Sequence, residues 1–308
     1  MGGQFRGAEG RLQDNEGVFD VVIAGAGPAG ATCAYFLAKY SRGLYAGTPL
    51  RIGLLEKATF PRDKICGDAW CAPSLDILEE MGVLQEIEQE GLAQNCLTGG
   101  FVSPSGHSYV ANAREGHQKS QSMTTRCYAI KRKVCDERIA RKAASQPGVE
   151  LVENALVVST DLNREHGIWT LTCEDQRVFK CRMLVAADGA ASTIARGLGM
   201  VKTSPQGVAA RRYVKPGTHN FKADGVLLYP SYTLPGYVAL FRHADNSIDL
   251  GLYLLPGGAA KDSDLAALYE NELMTDPFIS RALGPNVEFE ERLKVASLRL
   301  GGERQSYG

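Results

Sequence analysis

Short apolar runs and helical stretches alternate over the first part of the chain. Residues 18–23 carry a β-branched apolar run that is typical of a buried strand, and Ala31 to Lys39 reads as a helix. A second apolar run, Leu50 to Glu56, predicts the next strand. Because strands that alternate with helices build parallel sheets, this pattern predicts an α/β fold.

A glycine-rich turn separates the first predicted strand from its helix. Gly25, Gly27 and Gly30 have the GxGxxG spacing, in which the first glycine permits a tight turn, the second lets a pyrophosphate approach and the third lets the helix lie on the strand. Pro28 and Ala29 open the helix, where free N–H groups make an anion site. The turn predicts a Rossmann-like dinucleotide site, and a glycine-rich loop without a ligand is the alternative.

Charged residues follow the second predicted strand. Glu56 ends it, where a carboxylate would accept hydrogen bonds from a ribose hydroxyl. The segment Lys57 to Cys71 has neither helical nor strand periodicity and is predicted to be a loop, broken by Pro61 and Gly67. Arg62 in this loop would neutralise a pyrophosphate, because its planar fork of donors suits phosphate oxygens. A solvated basic loop is the alternative.

A basic run precedes the helix predicted from about Cys135 to Ala144. It follows a strand predicted over Cys127 to Ile130, and Arg132 lies within it. A charge run before a helix is commonly a solvated face. Contact of Arg132 with a cofactor and plain solvation are therefore both open.

An Asp-Gly turn ends the strand predicted over Val178 to Ala187. Asp188 would stand at the carboxyl edge of the sheet, where ligands bind in open α/β folds, with Gly189 beside it. Ser192 is placed to cap the helix that follows. Asp-Gly is also a common turn, so the pair alone says little.

The pattern changes beyond Met200. Short alternating segments over residues 208–214, 225–229, 236–243 and 247–255 predict an antiparallel sheet, and residues 262–274 predict a helix that covers it. A sheet beside a cofactor commonly closes an apolar pocket, which Tyr229, Tyr237 and Phe241, together with Tyr232, would line. Packing of these rings against the covering helix is the alternative.

Composition narrows the classes of function. The chain has 308 residues, 44% of them apolar, and a formal charge of −1, so nothing favours a nucleic acid partner. The eight cysteines lack metal-site spacing, so no metal is expected, and no signal peptide indicates an oxidising compartment. We expect a cytoplasmic or organellar protein that is not secreted. Residues 1–17 read as a flexible tail.

Three stretches resemble successive motifs of the geranylgeranyl reductase family, within the wider class of flavin-dependent hydroxylase-like proteins. They are DVVIAGAGPAGATCAYFLA, GLLEKATFPRDKICGDAW and LVAADGAASTIAR. The resemblance implies that family's fold, FAD as cofactor and a cysteine, Cys66, beside the flavin and substrate pocket, where a catalytic or gating role and a structural role are both open. The candidate cofactor-binding residues are Gly25, Gly27, Pro28, Ala29, Gly30, Glu56, Lys57, Arg62, Gly67, Arg132, Asp188 and Gly189.

The chain departs from the family at three places. IKRKVCDERIARKA resembles the family's pattern of arginine, two residues, an aromatic residue and aspartate, in which Arg132 fits the position that touches FAD, but Cys135 replaces the aromatic residue. The family's motif of tyrosine, tryptophan, phenylalanine and proline is kept at Tyr237 and Phe241, whereas Ala239 and Arg242 replace the tryptophan and the proline. The third flavin motif, which in the family follows a strand like residues 293–300, is absent. We therefore expect a fragment or truncated product in which FAD binding is weakened or lost.

These features predict two domains. An FAD-binding domain would comprise residues 18–96 and 126–204, and a substrate-binding domain with a discontinuous antiparallel sheet would comprise residues 97–125 and 205–308. The expected function is hydride transfer from flavin to carbon–carbon double bonds of a prenyl or other apolar substrate. NADPH is the expected electron donor, and a protein donor is the alternative because the chain has no second nucleotide fingerprint. An aromatic hydroxylase or halogenase and a flavin-free, non-catalytic protein are the alternatives. A lipid substrate would bring peripheral membrane association, and the oligomeric state is not predicted.

Overall fold

The computed structural model describes residues 17–43, 48–112, 126–257 and 264–300. The tail predicted over residues 1–17 lies outside this part of the chain except for its last residue. The described residues form three β-sheets with helices packed against them. The α/β class predicted from the sequence is confirmed.

The elements are numbered in chain order. The strands are β1 (Val18–Ala24), β2 (Ile52–Leu55), β3 (Ala69–Cys71), β4 (Gln94–Asn95), β5 (Thr98–Val102), β6 (Ser108–Asn112), β7 (Cys127–Ala129), β8 (Val149–Val152), β9 (Val157–Asn163), β10 (Ile168–Cys173), β11 (Val178–Ala186), β12 (Gly207–Val214), β13 (Gly225–Leu228), β14 (Tyr237–Arg242), β15 (Ile248–Leu254) and β16 (Lys294–Leu298). The helices are α1 (Pro28–Tyr40), α2 (Ala72–Glu80), α3 (Val83–Gln89), α4 (Arg132–Ala144), α5 (Thr193–Gly197), α6 (Leu265–Leu268), which continues as a π-helical turn (Tyr269–Leu273), and α7 (Pro277–Leu283).

A six-stranded sheet carries the glycine-rich turn. Its strands lie in the order β8-β2-β1-β11-β10-β9, and the first four run parallel. The carboxyl ends of β1, β2 and β11 therefore meet at one edge, where open α/β sheets bind ligands. Strands β11, β10 and β9 continue the sheet as an antiparallel meander.

Helices α1 and α4 cover one face of this sheet. On α1, Ala31, Ala34 and Ala38 recur at helical spacing and are buried, and their small side chains allow close packing. On α4, Ile139 and Ala140 enter the same core. The described helices include none long and apolar enough to cross a membrane.

A seven-stranded sheet draws its strands from both sides of the 113–125 gap. The order is β16-β12-β15-β14-β13-β5-β6, antiparallel except for the pair β13 and β5. Leucines of its outer face, among them Leu240, Leu250 and Leu252, pack against α6, the π-helical turn and α7. Because side chains alternate along a strand, the other face is left to meet the first sheet's loops.

A small sheet in the order β3-β7-β4 lies where the chain passes between the two larger ones. Trp70 of β3 donates its indole N–H to the carbonyl oxygen of Ile130 at 3.1 Å. The amide of Ile130 in turn donates to the carbonyl oxygen of Asp68 at 3.0 Å. The small sheet thus ties the start of α4 to the loop that precedes β3.

Several predicted elements differ in their bounds. Helix α4 begins at Arg132 rather than near Cys135, so the basic run forms its first turn. The helix predicted over residues 262–274 begins at Leu265 within the described residues and ends as a π-helical turn. The strand predicted at residues 293–300 is β16, which pairs with β12. The domain boundaries themselves stay predictions.

Gly30→Ala is expected to unfold the turn between β1 and α1. An added Cβ at Gly30 would overlap the carbonyl oxygen of Gly25, which is backbone and cannot rotate away. We expect the free energy of unfolding, measured by urea titration, to fall by at least about 2 kcal/mol, as in overpacked cores. Gly197→Ala is the matched control, because nothing lies within 4 Å of its added Cβ. Equal stability of the two variants would contradict this packing.

Candidate functional site

The glycine-rich turn forms a cradle, here called the phosphate cradle (residues 25–30). Gly25 has φ +104°, which favours glycine, and an added Cβ would overlap the carbonyl oxygen of Ala187 at the end of β11. The first intrahelical bond of α1 runs from the amide of Ala31 to the carbonyl oxygen of Gly27 at 2.9 Å. The amides of Ala29 and Gly30 precede that bond, and no described side chain caps the helix. The N–H groups of a first helical turn have no partner within the helix, so this end of α1 suits an anion.

Gly27 leaves the cradle open. The nearest atom to an added Cβ is Nη2 of Arg62, 3.7 Å away. The backbone of Gly27 is extended, with φ −68° and ψ −179°, so the glycine is needed for space rather than for conformation. A guanidinium on one side and a helix N-terminus on the other leave a gap that suits a pyrophosphate.

A charge network fixes Arg62 at this position. Its Nη1 donates to Asp136 Oδ2 at 2.6 Å, and its Nη2 donates to Glu56 Oε2 at 3.1 Å. Arg132 grips the same aspartate with two bonds, Nε to Oδ1 at 2.6 Å and Nη2 to Oδ2 at 2.8 Å. The carboxylate of Asp136 is fully buried, and Glu56 is 3% exposed. Two arginines predicted as cofactor contacts therefore share one buried anion.

The pKa values of both arginines reflect this pairing. Burial opposes the charge on Arg62, but hydrogen bonds to Glu56 and Asp136 outweigh it and raise the net pKa. Burial likewise opposes the charge on Arg132. Hydrogen bonding and attraction to Asp136, with a smaller contribution from Cys66, outweigh this effect and raise the pKa of Arg132. Lys57 lies exposed at the start of the loop. The predicted residues Glu56, Arg62 and Arg132 are thus brought together, and Lys57 lies outside their network.

The Asp-Gly turn lies against the phosphate cradle. The amide of Asp188 is 3.1 Å from an added Cβ at Gly25. Oδ2 of Asp188 accepts the amides of Thr193 and Ile194 at 2.8 and 3.2 Å, so the aspartate caps α5 together with Ser192. Oδ1 of Asp188 is buried and has no hydrogen-bond partner among the described residues. This orphaned acceptor, next to the cradle, fits the hydroxyl or amide donors of a dinucleotide.

Asp68 joins the loop of residues 56–68, here called the cofactor loop, to the seven-stranded sheet. The aspartate is fully buried with φ +53°. Oδ2 accepts the hydroxyl of Tyr213 and contacts Nε2 of His243 at 3.1 Å, and Oδ1 accepts the amide of Arg132 at 3.2 Å. No local pattern in the sequence indicates a role for Asp68, because its partners Tyr213 and His243 lie far along the chain.

The inner face of the seven-stranded sheet presents a row of three tyrosines to this loop. Tyr229, Tyr237 and Tyr253, called the tyrosine row below, lie on or beside neighbouring strands. Tyr237 and Tyr253 are stacked with ring centroids 4.6 Å apart, and Tyr229 lies 6.3 Å from Tyr237. Phe241 occupies the same face and covers Gly225. Tyr232 instead packs against the helices of the outer face, so the pocket role expected for it is wrong.

Cys66 and Gly67 meet the tyrosine row. An added Cβ at Gly67 would overlap the hydroxyl of Tyr253, so glycine is required for this close approach. The pKa of Tyr237 is raised by burial and by the nearby Cys66, and that of Tyr253 is raised by burial, Asp249 and Cys66. The predicted cysteine and the predicted substrate residue Tyr237 are therefore neighbours.

Two charged side chains on the same face are also buried. Arg211 is 1% exposed, donates Nη2 to Asp63 Oδ1 at 2.6 Å and lies 3.8 Å from the ring centroid of Tyr213. Asp249 is also 1% exposed, and both its carboxyl oxygens lack hydrogen-bond partners among the described residues. Burial, and then the charge of Asp68, raise the pKa of Asp249 well above its ordinary value of 3.8. Burial of this carboxyl group therefore favours its protonated form.

Sequence signals existed for some of these residues. Asp136 follows Arg132 by four positions on α4, shortly after the basic run, and so lies on the same face of the helix. Asp249 is a carboxylate at an inward position of β15, whose outward positions are aliphatic. The partners of Asp68 and Arg211 carry no such local signal, because the contacts join distant segments.

The cradle, the acid at the end of β2 and the Asp-Gly turn at the end of β11 define a dinucleotide-binding α/β protein of the flavoprotein type. Residues 18–222 match the FAD binding domain family, and the chain belongs to it. The FAD predicted from the motifs is supported by this membership. NADPH as donor stays a prediction.

Three curated relatives align with most of the described residues. Conditioned medium factor receptor 1 of Dictyostelium discoideum is 43% identical over 301 residues, 96% of this chain and 57% of the relative. Menaquinone reductase of Mycobacterium tuberculosis is 28% identical over 261 residues, 80% of this chain and 57% of the relative. Digeranylgeranylglycerophospholipid reductase of Methanocaldococcus jannaschii is 28% identical over 193 residues, 61% of this chain and 42% of the relative. The chain spans little more than half the length of the first two.

Solved structures show the same fold. A geranylgeranyl bacteriochlorophyll reductase-like protein from Thermoplasma acidophilum superposes with a TM-score of 0.70 at 17% identity, covering 91% of this chain and 66% of that one. A myxobacterial chondrochloren halogenase gives a TM-score of 0.70 at 19% identity, covering 91% and 64%. The resemblance to geranylgeranyl reductases stated from the motifs is thus confirmed, together with the flavoprotein fold.

Asp136→Asn is expected to destabilise the protein strongly. The substitution leaves two guanidinium groups against a neutral amide in a buried site, which costs about 3–5 kcal/mol when one partner of a buried ion pair is removed. Asp175→Asn is the matched control, because it breaks an exposed pair with Arg177, and exposed pairs contribute little to stability. Urea unfolding of both variants measures the difference. A loss at Asp136 no larger than at Asp175 would contradict the role given to this carboxylate.

Proposed function

We propose that the protein is an FAD-dependent oxidoreductase that reduces carbon–carbon double bonds of a prenyl or other apolar substrate. The observation that carries the proposal is the contact between the cofactor loop, at Cys66 and Gly67, and the tyrosine row. When bound, FAD would supply hydride transfer. The chain's own residues would bind and orient the cofactor and the substrate and would provide the proton.

The residues around the phosphate cradle offer the hydrogen-bond donors and acceptors that a dinucleotide cofactor needs. The amides of Ala29 and Gly30 and the guanidinium of Arg62 would hold the pyrophosphate. Glu56 would accept from a ribose hydroxyl, and the orphaned oxygen of Asp188 would accept from a second donor of the cofactor. Arg132 would act through Asp136 by fixing Arg62.

The substrate side of the site combines aromatic rings with two buried ionisable side chains, Arg211 and Asp249. The stacked Tyr237 and Tyr253 lie on this face together with Phe241. Ala209 and Ala239 on the same face have small side chains and leave space beside these rings. Such a surface suits an isoprenoid chain or a ring system. The names of two relatives, a menaquinone reductase and a digeranylgeranylglycerophospholipid reductase, support reduction of a lipid-like molecule. NADPH as donor, and association with a membrane surface through such a substrate, belong to the same proposal.

Reduction of a double bond also needs a proton. Asp249 lies on the substrate face, directly across from Phe241 on β14 and Tyr213 on β12. Its raised pKa favours the protonated carboxyl group, which is the form that a general acid requires. We assign Asp249 as the proton donor, with Cys66 as the residue that contacts substrate beside the flavin.

An FAD-dependent monooxygenase is the second candidate. The orphaned Nε of Arg211 and the orphaned oxygens of Asp249 would suit a polar aromatic substrate as well as a lipid. The halogenase similarity shows the fold alone. A protein without flavin is the third candidate, and FAD titration separates it from the other two.

Gly27→Val is expected to abolish FAD binding and to leave the fold intact. Valine would fill the gap between α1 and Arg62, whereas its added Cβ meets no described atom closer than 3.7 Å. The measurement is a titration of the purified chain with FAD, followed by visible absorption, with urea unfolding alongside. Gly197→Val is the control outside the cradle. Full flavin occupancy in Gly27→Val would refute the cradle, and no binding to the parent chain would refute the cofactor proposal for this chain.

Asp249→Asn is expected to slow the reduction of a prenylated substrate by roughly 100-fold or more, since general acids contribute factors of that order. FAD-loaded protein is reduced without oxygen, mixed with substrate and sampled by mass spectrometry for the gain of two hydrogens. Asp175→Asn is the surface control. Oxygen-dependent hydroxylation of an aromatic substrate, with no reduction of a prenyl chain, would instead favour the monooxygenase.

The same substitution has a readout that needs no flavin. Because the pKa of Asp249 is raised in the folded state, the unfolded chain releases this proton first as pH rises above about 4. Folding stability then falls by up to about 1.4 kcal/mol per pH unit until the folded pKa is passed. Asp249→Asn should remove this fall, and an unchanged pH dependence of unfolding would contradict a protonated Asp249.

A further inference from the structure

Three cysteines form a row across the small sheet. In the pairing of β3 with β7, Cys71 lies directly opposite Cys127. In the pairing of β4 with β7, Gln94 lies opposite Ala129 and Asn95 opposite Tyr128, which places the following residue, Cys96, opposite Cys127 from the other side. The amide of Cys96 donates to the carbonyl oxygen of Cys127 at 2.9 Å, as this register requires.

The row has the geometry of a disulfide site. Residues directly opposite each other in antiparallel strands share a face and have Cα atoms about 4.5–5.5 Å apart, inside the range that a disulfide spans. All three residues are free cysteines. Among the described residues no cluster of side chains is suited to a metal ion, so the row is not a chelating site. Cys127, in the middle, can be joined to one neighbour at a time.

The chemistry of the three thiols differs. The Cys96 thiol lies within reach of the carbonyl oxygen of Gln94, at 3.8 Å, and of the Cys127 sulfur. Its interaction with Cys127 lowers the pKa of Cys127 and raises that of Cys96, which favours the proton of the pair on Cys96. Cys71 is exposed, whereas Cys96 and Cys127 are half-buried. The thiolate is the reactive form of cysteine, which makes Cys127 the nucleophile and Cys96 its nearest resolving thiol.

We propose that Cys127 and Cys96 are a hydroperoxide-reactive pair that closes to a disulfide. The Cys127 thiolate attacks the terminal oxygen of a hydroperoxide and the O–O bond breaks, giving a sulfenic acid on Cys127. The departing alkoxide, or hydroxide from hydrogen peroxide, takes up from solvent the proton that Cys127 lost on ionisation and leaves as the alcohol or water. The sulfur of Cys96 then attacks that of Cys127, the S–S bond forms, and the departing hydroxide takes the Cys96 proton as water. Two thiols are oxidised and one peroxide is reduced.

The pair lies at the passage between the two large sheets. Directly after Cys96, the amides of Leu97 and Thr98 donate to Oδ2 of Asp224, at 3.0 and 2.8 Å. Three residues after Cys127, Ile130 is bonded to the cofactor loop at Asp68. A disulfide here would join the strand that enters the seven-stranded sheet to the strand that leads into α4. The inference does not depend on flavin binding or on the proposed reduction.

The test uses the reduced, purified chain and hydrogen peroxide near one equivalent. Remaining thiols are blocked with N-ethylmaleimide, and the protein is digested without reductant. Trypsin alone leaves Cys66, Cys71 and Cys96 on one peptide, residues 65–114, so a glutamate-specific protease is added to cut after Glu90. We expect a linked peptide that joins Cys96 to Cys127 and disappears with dithiothreitol, and a loss of two free thiols.

Variants make the result specific. Cys127→Ser should abolish the linked peptide and slow thiol loss at low peroxide at least several-fold, whereas Cys173→Ser, a buried cysteine elsewhere, should change neither. Cys96→Ser keeps the nucleophile and removes the resolving thiol, so dimedone should label Cys127 several-fold more than in the parent chain. A disulfide to Cys66 or Cys71, peroxide-induced acids without a disulfide, no thiol loss, or a linked peptide that survives in Cys127→Ser would each overturn the proposal.

Discussion

The carboxylate of Asp136 is the constraint on which the cofactor side of the molecule depends. It is fully buried and binds two guanidinium groups, one from the cofactor loop and one from its own helix, with bonds of 2.6–2.8 Å. Three strong bonds to one anion offset a desolvation cost that neither Arg62 nor Arg132 would meet alone. This arrangement orients the guanidinium of Arg62 toward Gly27, because Asp136 accepts from its Nη1 and Glu56 accepts from its Nη2.

The network also decides what Arg62 contributes. Arg62 and Arg132 are matched in charge by Glu56 and Asp136, so these four side chains carry no net charge. The attraction for a phosphate at the cradle therefore comes mainly from the free amides at the start of α1, and Arg62 supplies a donor in a fixed position. Preorganisation of this kind costs the protein little at the moment of binding, since the side chain is already ordered.

Local features of the site could be predicted from the sequence and distant contacts could not. Three features each depend on a few adjacent residues: the turn at Gly25 to Gly30, the acid after β2 and the Asp-Gly turn after β11. The contacts of Asp68 with Tyr213 and His243 span 145 and 175 positions, and no local pattern indicates them. The sequence predicted that α4 begins near Cys135 instead of at Arg132, because the charged residues of its first turn lack the apolar spacing of a helix. Tyr232 was assigned to the wrong face, since it follows β13 in a turn where alternation no longer holds.

Side chains of strand β15 alternate between the hydrophobic core beneath the helices and the face that meets the cofactor loop. Its residues Ile248, Leu250, Leu252 and Leu254 enter the core beneath the helices, whereas Asp249 and Tyr253 face the cofactor loop. A shift of one residue in register would bury the carboxyl among leucines and expose the leucines to the loop, so register is strongly specified. Aliphatic positions of this strand therefore set stability, and the positions between them set what the site can bind. Substrate preference can change through the second set while the fold is kept by the first.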